Sequence, residues 1–297
     1  MHAEVDSLRR LHADYYLQRF TSPRLIFEPG QFIMVKPSGS LDPFLPRAYS
    51  ILRVQRPGRP AGGGKTMVEI LYKVIGKGTT ALSQLKRGDR VDFLGPLGNG
   101  YRVPRSLTTA LLVAGGIGVP PVVALAESLR RSWFTVDGSR SGKNGHRSSA
   151  IGRPKIVAFV GGKTRHDVLC VADLRKAGAS VHVATEDGSL GHLGLVTDLL
   201  ESFLRSSVDG QRSTIYACGP HPMLHAVARI AERFEIPCQV SLEAEMGCGF
   251  GACMGCVIPV HGSGFRVQGT EQTMNHEPST MNERSYKLCC KDGPVFD

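Results

Sequence analysis

The chain has 297 residues, 41% of them hydrophobic and 21% charged, with a formal net charge of +10. That length exceeds one ordinary core and suits two domains with a small appendage, and the composition is that of a globular protein. No apolar stretch reaches the roughly 20 uninterrupted residues a membrane helix needs. The longest, Ala110 to Ala126, is broken by Gly115, Gly116, Gly118, Pro120 and Pro121. Lys and Arg are scattered, not gathered on a helix with interleaved aromatics, which argues against a nucleic-acid partner. Met1 to Arg10 is polar and no apolar run follows, so no signal peptide is expected and the cytoplasm is the expected compartment.

Residues 1–104 read as short strands. Tyr15–Phe20, Gln31–Val35, Ala48–Val54, Met67–Val74 and Arg90–Leu94 are rich in β-branched and aromatic residues, and turn residues separate them. A short helix fits Thr79–Lys86, with Thr79 or Thr80 as N-cap. Evenly spaced short strands predict an antiparallel β-barrel. Residues 105–236 change character. The apolar run Thr109–Ala114 reads as a buried parallel strand, followed by a helix over Pro120–Arg131. Runs at Lys155–Val160, Ser180–Ala184 and Thr214–Ala217 alternate with helical segments at Asp167–Ala177, Val196–Leu204 and Pro222–Glu235. This βαβ alternation predicts a doubly wound parallel sheet. The polar, Gly- and Ser-rich stretches Asp137–Gly152 and His261–Ser285 are expected to be mobile insertions. Residues 237–297 form the third, cysteine-rich region.

The strongest chemical signal lies in that third region. Of eight cysteines, Cys248, Cys253 and Cys256 are spaced C-x4-C-x2-C, the plant-type [2Fe–2S] pattern, which a more distant fourth cysteine completes. Crowded cysteines in a cytosolic chain point to metal ligation over disulfides. Gly247, Gly249, Gly251 and Gly255 interleave with them. They would permit positive φ and let backbone N–H groups approach the sulfurs. A zinc site usually pairs its cysteines as two C-x2-C units, an order this chain lacks. Spacing leaves the fourth ligand open between Cys289 and Cys290.

Four further segments carry weaker signals, each with an ordinary alternative. Arg47-Ala48-Tyr49-Ser50 opens a strand. The arginine could neutralise a pyrophosphate, the tyrosine stack on an isoalloxazine and the serine bond its edge; an unremarkable strand with one exposed arginine fits the same letters. Gly76-Lys77-Gly78-Thr79-Thr80 precedes a helix, either as an anion-binding turn or as plain capping. Ala114-Gly115-Gly116-Ile117-Gly118-Val119-Pro120 joins the first parallel strand to its helix. Ligands bind at such carboxyl ends, although a tight structural turn would look alike. Cys218-Gly219-Pro220 ends a later strand of the same sheet, where Cys218 could touch a nicotinamide or serve as a small apolar residue.

Taken in order, these segments resemble the ferredoxin–NAD(P) reductase superfamily, and within it the electron-transfer subunits of class 1B dihydroorotate dehydrogenase. The resemblance runs from Pro29-Gly30-Gln31-Phe32 through Arg47–Ser50, Tyr72–Thr79, Gly95–Gly100, Gly115–Pro120, Glu186–Gly191 and Cys218–Pro220. It ends in the Cys248 loop and Cys290-Lys291-Asp292-Gly293-Pro294-Val295-Phe296. It implies an FAD-binding barrel, an NAD-binding α/β domain and a C-terminal [2Fe–2S] loop. It implies Cys290 as the fourth ligand, and FAD contacts at Arg47, Ala48, Tyr49, Ser50, Leu71, Tyr72, Lys73, Gly78 and Thr79. It implies nucleotide contacts at Gly115, Gly116, Gly118, Pro120, Cys218, Gly219 and Pro220. The implied partner is an FMN-containing catalytic subunit that oxidises dihydroorotate in pyrimidine synthesis, assembled two plus two. Electrons would pass from FMN through cluster and FAD to NAD⁺. No arginine pair for a 2′-phosphate is evident, which leans to NAD over NADP. A related reductase subunit of the sulfide dehydrogenase or ferredoxin–NADP reductase type, serving another acceptor, is the competing reading. The insertions at 137–152 and 261–285 depart from the family pattern.

Overall fold

The structure is a computed structural model that describes residues 2–12, 14–23, 25–39, 41–55, 66–137, 153–206, 212–260 and 285–297. Nearly all of the two stretches expected to be mobile lies outside them.

Six antiparallel strands close a barrel: β1 (His2–His12), β2 (Tyr15–Ser22), β3 (Phe32–Pro37), β4 (Arg47–Gln55), β5 (Thr66–Lys73) and, after helix α1 (Lys77–Ser83), β6 (Arg90–Leu97). Their order is β1-β2-β5-β4-β3-β6, and β6 pairs back onto β1. Alternation sets what each strand buries. In β4, Tyr49 and Ile51 point into the barrel core with Ile33, Val68, Ile70 and Tyr72. Strand β1 is absent from the sequence reading because only Ala3 and Val5 along it are fully buried. Helix α1 begins two residues earlier than expected, with Gly76 as N-cap. Thr79 lies at N3, where its Oγ1 accepts the N–H groups of Ile75 (3.0 Å) and Gly76 (3.2 Å). The expected caps, Thr79 and Thr80, are thus inside the helix; a glycine with extended backbone leads into it.

The second unit comprises β7 (Thr109–Gly115), α2 (Val119–Asp137), β8 (Lys155–Gly162), α3 (Val171–Lys176), β9 (Ser180–Thr185), β10 (His192–Leu193), α4 (Val196–Ser206), β11 (Ser213–Cys218), α5 (His221–Arg233) and β12 (Cys238–Ser241). The sheet order is β10-β9-β8-β7-β11-β12, all parallel. Central β7 buries Leu111, Leu112 and Val113 at 1% exposure or less, each contributing about 1.5–3 kcal/mol. Helix α3 is shorter than expected. A 3₁₀ turn at Arg165–Asp167 precedes it, and Cys170 sits at its N-cap with φ +57°. Among the described residues no helix is long and apolar enough to cross a membrane.

The third region adds a hairpin, β13 (Val257–Val260) with β14 (Ser285–Leu288), a short helix α6 (Cys289–Asp292) and β15 (Val295–Phe296). The expected boundary at residue 236 falls just before β12, so it separates a strand from its own sheet. That strand is only four residues long, with partly exposed Cys238 and Val240, and gives little apolar signal. Strand β15 then adds antiparallel to β12, pairing Phe296 with Val240.

The barrel and the sheet share one apolar seam. Tyr15, Leu52 and Leu71 of the barrel pack in the same cluster as Leu112, Val119, Val122 and Val123.

Candidate cluster and dinucleotide sites

The loop between β12 and β13 folds back on itself around the cysteines. The N–H of Cys253 points at Cys248 Sγ (3.4 Å), that of Gly255 at Cys253 Sγ (3.5 Å), and that of Cys290 at Cys256 Sγ (3.3 Å). The last contact joins residues 34 apart in sequence. Burial raises the Cys248 pKa, but backbone N–H groups of Cys253, Phe250 and Ala252 outweigh it and bring the thiol down to about 6. Donors aimed at sulfur favour thiolate, the form that ligates iron. Cys290 faces Cys256 and Cys248; burial and then the neighbouring Cys256 sulfur push it up to about 12. Cys289 is turned elsewhere. It is fully buried and its thiol donates to the Leu242 carbonyl at 3.6 Å. The structure thus brings Cys248, Cys253, Cys256 and Cys290 together and points Cys289 away.

Two of the four loop glycines have left-handed backbone. Gly249 (φ +84°) lies against the barrel, where an added Cβ would fall 2.5 Å from Met34 Cγ; Gly251 (φ +90°) lies under the Lys291 side chain. Gly247 and Gly255 are not in that region, and Met254 is, at φ +59°.

The tail that carries Cys290 is tied to the barrel by a residue the sequence reading passed over. Asn99 takes the Gly293 carbonyl on its backbone N–H (2.6 Å) and the Asp292 carbonyl on Nδ2 (3.0 Å). Gly98 (φ +71°) permits the approach, since a Cβ there would meet Pro294 Cδ at 2.5 Å. Segments 95–100 and 290–296 are both conspicuous in sequence, but nothing in their spacing says that they touch.

The expected flavin contacts divide by direction. Arg47 is exposed at the barrel mouth, its stem 3.1 Å from where a Gly78 Cβ would stand. Its Nη1 donates to the Leu45 and Pro46 carbonyls (2.8 and 3.3 Å), and no carboxylate among the described residues pairs with it. Such a cation beside a glycine turn fits a diphosphate. Ala48 and Ser50 face the other side, where Ala48 packs against the cluster region. Tyr49 and Tyr72 do not present ring faces to solvent. They sit edge to face in the barrel core at 5.6 Å, at 7% and 2% exposure, with both hydroxyls unpartnered. Strand alternation sends Tyr49 inward with Ile51. Leu71 is in the interdomain seam. Lys73 lies 3.7 Å from Asp167 and over the Tyr15 ring. Thr79 spends its hydroxyl on the helix entry.

The nucleotide loops stand side by side at the carboxyl ends of β7 and β11, where Ala114 pairs with Cys218. Gly118 packs directly on the backbone of Cys218 and Gly219, while Gly116 (φ +52°) has open space beside it. Pro120 is buried in the first turn of α2. Pro220, exposed, is the N-cap of α5. The Cys218 side chain is 1% exposed and packs in the apolar seam, and burial pushes its pKa well up. Its backbone lies against Gly118.

Comparison with known proteins accords with this layout. The family model for the iron–sulfur cluster binding domain of dihydroorotate dehydrogenase B matches residues 243–268. The electron-transfer subunit of dihydroorotate dehydrogenase B (NAD(+)) from Bacillus caldolyticus is 38% identical over 294 residues, covering 97% of this chain and 93% of the relative. The subunit of the same name from Desulforamulus reducens is 31% identical, over 99% and 95%. Among solved structures, one of an NADH-dependent reduced ferredoxin–NADP oxidoreductase superposes with a TM-score of 0.69 at 24% identity, over 99% of this chain and 87% of that one. The ferredoxin reductase of carbazole 1,9a-dioxygenase gives 0.60 at 22%, over 80% and 66%. These two share the fold. With whole-length relatives at such identity, the chain belongs to the family of dihydroorotate dehydrogenase B electron-transfer subunits.

Proposed function

We propose that this chain carries electrons from an FMN-containing dihydroorotate dehydrogenase subunit to NAD⁺, holding a [2Fe–2S] cluster and FAD, in pyrimidine synthesis in the cytoplasm. The observation that carries the reading is the convergence of sulfurs from two distant segments, joined where the Cys290 N–H meets Cys256 Sγ at 3.3 Å. Four thiolates drawn from two segments give each of two irons a pair of ligands, and the C-x4-C-x2-C order is not the paired C-x2-C usual for zinc.

A bound cluster would supply single-electron transfer and a bound flavin hydride transfer, so the pair would couple one- to two-electron chemistry. The chain's own residues do the rest. Cys248, Cys253, Cys256 and Cys290 would ligate, and backbone N–H groups at their sulfurs would tune the potential. Arg47, with no carboxylate partner among the described residues, would neutralise the diphosphate of FAD, with Gly78 giving room. Ala48, Ser50 and the backbone of Leu71 and Tyr72 would line the ring. Gly115, Gly116, Gly118 and Pro120 would shape the nucleotide crevice with Cys218, Gly219 and Pro220. No side chain is needed as acid or base at the nicotinamide carbon.

The experiment is anaerobic purification with the catalytic subunit, followed by addition of dihydroorotate and NAD⁺. NADH formation with an axial EPR signal on reduction is expected. A complex that forms but yields no NADH from dihydroorotate overturns the substrate, and a colourless chain overturns the cofactors.

Arg47→Ala should weaken FAD binding. Charge-assisted hydrogen bonds contribute about 1.5–3 kcal/mol, so the Kd should rise about 10- to 150-fold, read by flavin fluorescence after ultrafiltration. We infer that the partner docks at the cluster loop. Phe250 (57% exposed) and Met254 (58%) protrude from it, and Leu45 (47%) lies beside Gly247. Exposed aromatics in such a patch are interface anchors. Phe250→Asp should cost about 2 kcal/mol or more of association while NADH still reduces the flavin of the isolated chain. Sedimentation of the mixed subunits checks it.

A further inference from the structure

A partly buried ionic knot, with only Glu69 fully enclosed, crosses the seam between the barrel and the sheet domain, and none of its members figures in the sites above. Arg53 on β4 is its centre. Nε donates to both Glu127 oxygens (2.9 and 3.1 Å), Nη1 to Glu69 Oε2 (2.8 Å), and Nη2 to Asp173 Oδ1 (2.9 Å) and to Glu127. Glu69, on β5, is 1% exposed and is also held by Arg19 on β2, with Nε 2.9 Å from Oε1. Glu127 is on α2 and Asp173 on α3. Burial works against the Arg53 charge, yet hydrogen bonds and charge from Glu127, Asp173 and Glu69 outweigh it and keep the guanidinium firmly protonated.

The placement of the knot gives it a meaning beyond stability. Strand β4 begins with Arg47–Ser50 and reaches Arg53 three residues later. Helix α2 follows the Gly115–Gly118 loop and reaches Glu127 two turns on. Buried ion pairs stabilise poorly, because desolvation offsets attraction, but they are directional. The apolar seam around Leu52 and Leu71 is not directional and would tolerate sliding. A planar fork bonding three carboxylates on three elements would not.

We propose that Arg53 is a positioning residue for hydride transfer: by gripping Glu69, Glu127 and Asp173 together it fixes the angle between the strand bearing the flavin contacts and the helix that opens at the nucleotide loop. The inference rests on the flavin and nicotinamide reading of those two segments. Reactivity depends steeply on such geometry, with a displacement of about 1 Å costing up to about a hundredfold.

The test uses the full chain with FAD bound, under anaerobic stopped flow with NADH. Arg53→Met is expected to lower the limiting rate of flavin reduction about ten- to a hundredfold and to shrink the flavin–nicotinamide charge-transfer absorbance. The Kd for NADH should stay within about threefold. Arg53→Lys, a point charge able to satisfy only part of the fork, should fall between. Asp173→Ala, at a side chain 38% exposed, removes one arm without burying an orphan charge; it reports if Arg53→Met does not fold, and a slower rate with a weaker charge-transfer band is expected. Variants that bind FAD and match the wild-type rate and band overturn the inference alone. A wild type whose flavin NADH does not reduce overturns the nucleotide reading and this inference with it.

Discussion

Cys290→Ser should strip the chain of most of its iron, whereas Cys289→Ser should leave iron and acid-labile sulfide per chain unchanged. The two residues are neighbours in a short helix, both buried, and no spacing rule separates them. Their surroundings do. The Cys290 backbone N–H reaches Cys256 Sγ, and its own sulfur faces Cys256 and Cys248. The Cys289 thiol donates to the Leu242 carbonyl at 3.6 Å and is pushed up to about 12 by burial first and then by the nearby cysteines. A serine at 289 still has a donor for that carbonyl, so its cost is that of a small polar swap in a packed site, about 1 kcal/mol. A serine at 290 replaces a soft thiolate with a hard, poorly acidic hydroxyl at an iron. Metal analysis and the EPR line shape of the reduced proteins check both arms. Equal iron loss in the two variants, or loss only at 289, would show that the tail sits one residue out of the register described here.

What the sequence discloses and what it withholds divide along physical lines. The cysteine spacing is legible because a cluster imposes it locally, within nine residues. The β7–α2 turn is legible because an apolar run, three glycines and a proline are adjacent. The side a strand residue faces is less so. Tyr49 carries the letter expected of a stacking aromatic, yet alternation with Ile51 turns it into the barrel, and only the closed barrel settles which alternate set is inside. Strand β1 is invisible for a related reason: only two of its side chains are fully buried, Leu8 and Leu11 pack partly buried on the cores, and a register shift between Val5 and Ser7 breaks the period-2 pattern. Contacts across long separations are the least legible. Arg53, Glu127 and Asp173 lie on three elements and read as ordinary surface charges. Asn99 reads as a turn residue until Gly293 is seen beside it.

The glycines after β7 make a second strong prediction, because two of them are needed for opposite reasons. At Gly118 an added Cβ would stand 2.5 Å from the Cys218 carbonyl oxygen and 2.6 Å from the Gly219 nitrogen. Those atoms are backbone, at the end of a central strand held on both sides by its neighbours, and cannot yield as a flexible side chain would. Gly118→Ala should therefore part β7 from β11 at the crevice, at about 3 kcal/mol or more, with a lowered Tm and loss of NADH-driven flavin reduction together. At Gly116 an added Cβ meets nothing within 4 Å, and the only obstacle is φ +52°. Alanine in that conformation costs about 1–2 kcal/mol, so Gly116→Ala should melt only slightly lower than wild type. Its side chain would instead point into the space a pyrophosphate would take. The expected signature is a raised KM for NADH with a nearly normal limiting rate, growing from Gly116→Ala to Gly116→Val. Should Gly116→Val bind NADH as wild type does, the loop is a structural turn and the dinucleotide lies elsewhere along the sheet edge.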